Sequence, residues 1–199
     1  MAFESNTIMA VSDPSKVASD LNDLVNPALR EAGALNVMAA EALTGTMTGL
    51  YILSTRWDSL EKWAAVQTEM ADRMAAGGPL AELSARYQTQ QRIVSEDLVE
   101  AGTTSGRFIN ATRYSVASPP DGLQQAADVT VAGGAEGIRI TSVLAGGDMS
   151  GHVIGALFLD SLDSLPGVIA ATRADAEYMA NIAAAGAQLQ SRTIFRVIS

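Results

Sequence analysis

The sequence predicts an α+β protein made of two tandem copies of a β-α-β-β-α-β unit. Three observations predict it. First, the fourteen residues MTGLYILSTRWDSL (47–60) return as MSGHVIGALFLDSL (149–162), an ungapped match at an offset of 102 that keeps Met, Gly, Ile, Asp, Ser and Leu. Second, strand and helix signals around both stretches recur in the same order. Third, VEAGTTSG, a small, polar, Gly-containing stretch of the kind that links domains, lies between the copies. The expected division is a first copy at 1–98, a linker at 99–106 and a second copy at 107–199. A repeat this long is one domain written twice rather than a solenoid.

In the first copy, NTIMAVS is a short apolar strand closed by Asp13-Pro14. From Ser15 onward Val17, Leu21, Leu24, Val25 and Ala28 fall at helical spacing, and Pro27 is expected to bend or end that helix. ALNVMAAEAL leads through the Gly-containing turn TGTMTG into LYILSTRW, a pair of strands. A longer helix follows, with Leu60, Trp63, Ala64, Gln67, Met70, Ala71 and Met74 on one face. Gly77-Gly78-Pro79 stops it, a second helical piece runs from Leu80 to Tyr87, and QQRIVSEDL is the last strand.

The second copy runs RFINATRYSV (strand), PPDGLQQAADVTVA (short helix), GIRITSVLA (strand), GGDMSG (turn) and HVIGALFL (strand). SLPGVIAATRADAEYMANIAAAG is expected as one helix with Pro166 in its first turn, and QLQSRTIFRVIS closes the copy as a strand. YMANIAAAG echoes EMADRMAAG at an offset of 109, so the second copy carries about seven extra residues at the start of this helix. Each copy is a ferredoxin-like arrangement, an antiparallel sheet with helices on one face. The bare faces of two such sheets can cover each other.

The order of elements, the hairpin glycine, the strand ending in aromatics and the Asp-Ser-Leu that opens the long helix together resemble the dimeric α/β-barrel superfamily, the antibiotic-biosynthesis-monooxygenase-like proteins among them. The likeness spans nearly all 199 residues, with the two halves fused in one chain as an internal dimeric α/β barrel. It implies a pocket for a small molecule. Members include cofactor-free monooxygenases of polycyclic phenols and haem-degrading monooxygenases, which use pocket Asn, Trp and His residues.

Composition narrows the chemistry. Hydrophobic residues make up 48% and charged ones 18%, enough for a real core. No apolar run reaches the roughly 18 residues of a membrane span, and the N-terminus lacks a signal-peptide pattern, so the cytoplasm is the expected location. The absence of cysteine excludes disulfides, thiolate nucleophiles and thiolate metal sites, and the single histidine, His152, excludes multi-histidine metal sites. A net charge of −9, with only Lys16 and Lys62 as lysines, argues against a nucleic-acid backbone as partner. The acidic, Ala-rich, Arg-over-Lys composition is of a bacterial type. No phosphate-binding loop, dinucleotide fingerprint or nucleophile elbow is present. The helical His that a haem would need is missing, and neither cofactor nor metal is expected.

The two copies differ where chemistry can sit. Leu50 of the first is replaced by His152 in the second, on a strand expected to lie beside the one carrying Asn110. His152 and Asn110 are therefore the expected catalytic pair, a base and an orienting group for a phenolic or enolic substrate. Tyr114, Arg139, Phe158 and Trp57 are the expected substrate-binding residues. Arg139, like Arg56 and Arg113, lies in a strand and is suited to bind an anion or pair with a carboxylate. Trp57 ends a strand and is suited to wall a pocket, although a large residue at a strand end usually packs in the core. Asp58 and Asp160 sit where Asp or Ser caps a helix. The methionines read as core filler. The expected function is binding of a small, largely apolar or aromatic molecule, with cofactor-independent oxygenase-like chemistry; the alternative is a non-catalytic binding or assembly scaffold. A fused barrel can stand as a monomer with an internal pseudo-dimer, or pair further as a homodimer.

Overall fold

The computed structural model describes residues 2–198. Its strands are β1 (Phe3–Val11), β2 (Asn36–Ala42), β3 (Tyr51–Trp57), β4 (Tyr87–Gly102), β5 (Phe108–Ser115), β6 (Gly137–Ala145), β7 (Val153–Leu159) and β8 (Gln188–Val197). All pair antiparallel and close into one barrel in the order β1-β3-β2-β8-β5-β7-β6-β4. The first half contributes β4-β1-β3-β2 and the second β8-β5-β7-β6, the same internal order. The sheets do more than face each other, as expected from the sequence; they also join at their edges and so close the barrel. One seam is long, β4 against β6 from Val94↔Ala145 to Gly102↔Gly137. The other is short, β2 against β8 over Ala40↔Val197, Glu41↔Arg196 and Ala42↔Phe195. Because β4 runs on to Gly102 in the long seam, the connection to β5 begins at Thr103 rather than at 99.

Helices cover the outside. Over the first half lie α1 (Val17–Asp20), α2 (Asn26–Glu31), α3 (Leu60–Ala75) and α4 (Pro79–Arg86); over the second lie α5 (Leu123–Ala132), α6 (Leu165–Ala174) and α7 (Ala176–Ala184). Pro27 does not end its helix. A widened π turn, Leu21–Val25, joins α1 to α2, with the Asn26 N–H reaching back to the Leu21 carbonyl. That turn precedes the proline, which has no N–H of its own to donate. The face of α3 also differs from expectation: Val66 is buried and Trp63 and Met70 are half-buried, whereas Leu60, Ala64, Ala71 and Met74 are exposed. The single helix expected in the second half is two. It breaks at Asp175, whose backbone is extended and whose carboxylate accepts the Tyr178 N–H at 2.7 Å to cap α7. Among the described residues no helix is long and apolar enough to cross a membrane.

The repeated stretch builds the same hairpin twice. Short helical turns at Gly45–Met47 and Gly147–Met149 are each followed by a glycine in left-handed conformation, Gly49 (φ 81°) and Gly151 (φ 82°), a geometry that a side chain would strain. The Asp-Ser-Leu motif works through its serine. Ser59 Oγ accepts the Lys62 N–H at 3.2 Å and Ser161 Oγ accepts the Asp163 N–H at 3.1 Å, while Asp58 pairs with the Lys62 ammonium.

Candidate functional site

Strand alternation sends every second side chain into the barrel and the others under the helices. In β5, Ile109, Ala111 and Arg113 point inward, and Asn110, Thr112 and Tyr114 point outward. Two cavities result, one on each side of the sheet.

The outer cavity, about 100 Å³, lies between the second-half sheet and α5, α6 and α7. Its origin is legible by comparing the outward positions of β3 and β7. Tyr51, Leu53 and Trp57 in the first half stand against Val153, Gly155 and Leu159 in the second. In the first half Tyr51 and Leu53 pack on Val17, Leu21 and Ala39, and Trp57 on Leu29, Val37 and Val66, which leaves that half solid. In the second half a Cβ placed on Gly155 would meet nothing within 4 Å. The missing side chain is the cavity.

Its walls are mostly apolar, with few polar groups to spare. Thr130 Oγ1 donates to the Ala126 carbonyl at 2.7 Å, and Thr172 Oγ1 to those of Val168 and Ile169. Asn110, 1% exposed, donates through Nδ2 to Thr112 Oγ1 at 3.4 Å, and its Oδ1 has no partner. Tyr178 lines the same cavity as Tyr114 and Arg192. Burial, with the nearby Tyr114 adding to it, pushes the Tyr178 phenol up to about 12, so it stays protonated at neutral pH.

The inner cavity is the barrel lumen, about 260 Å³. One end is closed by ion pairs. The Arg139 guanidinium, 3% exposed, reaches Glu4 at 3.1 Å, Glu100 at 3.2 Å and the Thr104 hydroxyl at 3.0 Å. Glu4 also accepts the Ser54 hydroxyl at 2.7 Å, and Arg56 bridges Glu100 and Asp97. The Arg56–Asp97 approach of 2.6 Å is a charge contact without hydrogen-bond alignment. Burial acts to lower the Arg139 guanidinium, but Glu4, Glu100 and Asp97 outweigh it and hold the group above its ordinary value. Burial raises the Asp97 carboxyl even beside Arg56 and Arg139.

The residues singled out from the sequence are thus spread over four places. Asn110 and Tyr114 share the outer cavity. Arg139 and Phe158 share the lumen, the guanidinium 5.8 Å from the ring centroid. Trp57 is fully buried in the first-half core, its Nε1–H donating to Thr55 Oγ1 at 2.9 Å, and it lines neither cavity. His152 ends the hairpin turn, its carbonyl accepting the Val143 N–H. Asn110 stands opposite Leu157, five residues along from His152 and so roughly 17 Å away along the strand. The expected His152–Asn110 pair does not form, because β7 starts one residue after the histidine. Gly155, Tyr178 and Arg192 were not signalled, although Gly155 shows as a Leu-to-Gly change between matched stretches.

Haem, which some proteins of this fold carry, does not suit the outer cavity. No His lines it, and a volume of about 100 Å³ is far too small for a porphyrin. Among the described residues no cluster of His, Cys, Asp and Glu could hold a metal.

No protein-family model matches the sequence, and no curated protein does. Solved structures align along the whole chain. An anthrone oxidase-like protein is 15% identical over 100% of this chain and 92% of its own, with a TM-score of 0.53. A provisionally assigned monooxygenase from Fusobacterium nucleatum is 8% identical over 100% and 93%, with a TM-score of 0.61. A heme-binding protein from Thermus thermophilus is 12% identical over 98% and 90%, with a TM-score of 0.56. At these identities the likeness concerns the fold, which is the dimeric α/β barrel.

Proposed function

We propose that this chain, a dimeric α/β barrel by fold, binds a small, largely apolar or aromatic molecule bearing a hydroxyl group in the outer cavity of its second half. The observation that carries this reading is the unpartnered Oδ1 of Asn110, buried in a mostly apolar cavity whose Thr112, Thr130 and Thr172 hydroxyls are already hydrogen-bonded. An unsatisfied buried polar atom costs about 1–3 kcal/mol, which a donating hydroxyl would offset. Asn110 then orients the ligand, Tyr114 and Tyr178 wall it, and His152 takes no part. An engineered apolar cavity of ~150 Å³ houses benzene, so a cavity of about 100 Å³ admits one small ring at most and rejects fused rings.

The names of two similarly folded proteins, anthrone oxidase-like and monooxygenase, favour oxygenation as the reaction, and we read it as cofactor-independent. In such a step an electron-rich phenol loses two hydrogens and gains one oxygen from O₂, leaving a quinone and one water. No Asp, Glu or His lines the outer cavity. The hydroxyl proton of the substrate would therefore pass to solvent water and not to a carboxylate or imidazole of the chain. The same lack of a base favours a second reading, a non-catalytic binding protein.

Native mass spectrometry with hydroquinone as probe, run beside an oxygen electrode, tests both. A one-to-one complex with oxygen uptake above the spontaneous rate, both lost in Gly155→Leu, is the result expected for the enzyme. A complex without uptake assigns a binding protein. If the folded wild type takes up no hydroquinone at millimolar concentration, the reading is overturned.

A further inference from the structure

We propose that the barrel lumen is a second binding site, and that it takes a small amphipathic carboxylate whose anionic head is held by Arg113. This does not rest on the reading of the outer cavity. The lumen is about 260 Å³, more than twice the outer cavity, and the Glu4–Arg139–Glu100 network seals one end. The opposite end lies at the two hairpin turns, where Met47 and Met149 fringe the mouth.

Arg113 stands at that mouth. It faces Ile154 on β7 and Ser191 on β8, next to a bulge at Gln190. The corresponding place in the first half is occupied by Ile8, which faces Ile52 and Gln91 next to a bulge at Gln90. One half thus presents an aliphatic side chain where the other presents a guanidinium. Bulges re-aim side chains beside functional sites.

Arg56, Arg86 and Arg139 are ion-paired, whereas Arg113 pairs with no carboxylate among the described residues. Its Nε is buried and has no hydrogen-bond partner. A cation held part-way into a low-dielectric lumen without a counter-ion is costly unless something compensates it. Asp148 lines the same mouth, but it is exposed on its turn and forms no ion pair among the described residues. Between the mouth and the sealed end the wall is mainly aliphatic and aromatic, with Ile8, Ile52, Ile154 and Phe195 among its residues. A guanidinium at the rim above an apolar tube matches a carboxylate on a short apolar body.

The test is a ¹⁹F NMR titration of the intact chain with 4-fluorobenzoate, with 4-fluorobenzyl alcohol as the uncharged control. Saturable binding of the acid, at least tenfold tighter than of the alcohol, is expected. Arg113→Met should weaken the acid at least tenfold, Arg113→Lys should retain most of it, and Gly155→Leu should leave it unchanged. Ala111→Leu, which fills the lumen from the neighbouring inward position, gives an independent reading and should abolish binding. Absence of binding to wild type overturns the proposal, as does equal affinity for acid and alcohol. Loss in Gly155→Leu with retention in both Arg113→Met and Ala111→Leu also overturns it, by placing the probe in the outer cavity.

Discussion

At the scale of the single residue, the molecule turns on Gly155. A glycine inside a strand weakens it, by roughly 0.5–1 kcal/mol relative to alanine, and here nothing would obstruct a larger side chain. Gly155→Ala should therefore stabilise the fold by up to about 0.5–1 kcal/mol in urea unfolding while it narrows the outer cavity. Tyr178 sets a second expectation. Its phenol is raised to about 12 in the folded chain, above the ordinary value of 10. The folded state thus holds that proton more tightly, so its contribution to stability is complete below pH 10 and is lost as pH climbs through 12. Absorbance titration of the phenolates should show a late-ionising group that disappears in Tyr178→Phe. Which residues the sequence could disclose divides along the same line. Asn110 and Tyr114 were legible as polar residues on an alternating strand. His152 misled, because a shift of a single position decides whether a residue belongs to a strand or to its turn, and composition does not fix that boundary.

At the scale of the element, the strands and their order could be read from alternation, and both hairpins from the repeated Gly-containing turns. Helix ends could not. The break between α6 and α7 hinges on Asp175 within an Ala-rich run of high helix propensity; the residue wins because its carboxylate accepts both the Tyr178 N–H and the Gln125 side chain. Asp175→Ala should cost about 1 kcal/mol, the usual worth of a lost N-cap, and loosen α7, the helix that carries Tyr178 over the cavity. Hydrogen exchange of the amides from 176 to 184 would register it. The buried face of α3 departs from the expected one for another reason. Its helical period is sound, but the packing partner is the ridge of Trp57 and Leu29, which meets only Trp63, Val66 and Met70.

At the scale of the whole molecule, the barrel is expected only through the family resemblance, and the pairing of its edges is not written in the sequence, since the seams join residues far apart in the chain and no local pattern records which edges meet. Ion pairs plug one end of the closed barrel. Arg139 is held by Glu4 from β1 and Glu100 from β4, so it ties the second half to the first. Removing one partner of a buried pair strands the other, and Arg139→Met should lower stability by about 3 kcal/mol, whereas Lys62→Met, at an exposed pair, should change it by less than about 1 kcal/mol. Thermal and urea unfolding of the two variants would separate them.

The contrast between Leu53 and Gly155 has a wider consequence. A ring assembled from two identical subunits obeys its own two-fold axis: any hollow cut into one is cut into the other, and any charge set at one rim is mirrored across it. Joining the halves in one chain lifts that constraint. One side is free to be ballast, filled with tryptophan and leucine, while the other gives up packing to make room. Here a single backbone holds a solid half and a hollow half in register, and the vacancy is incurred once.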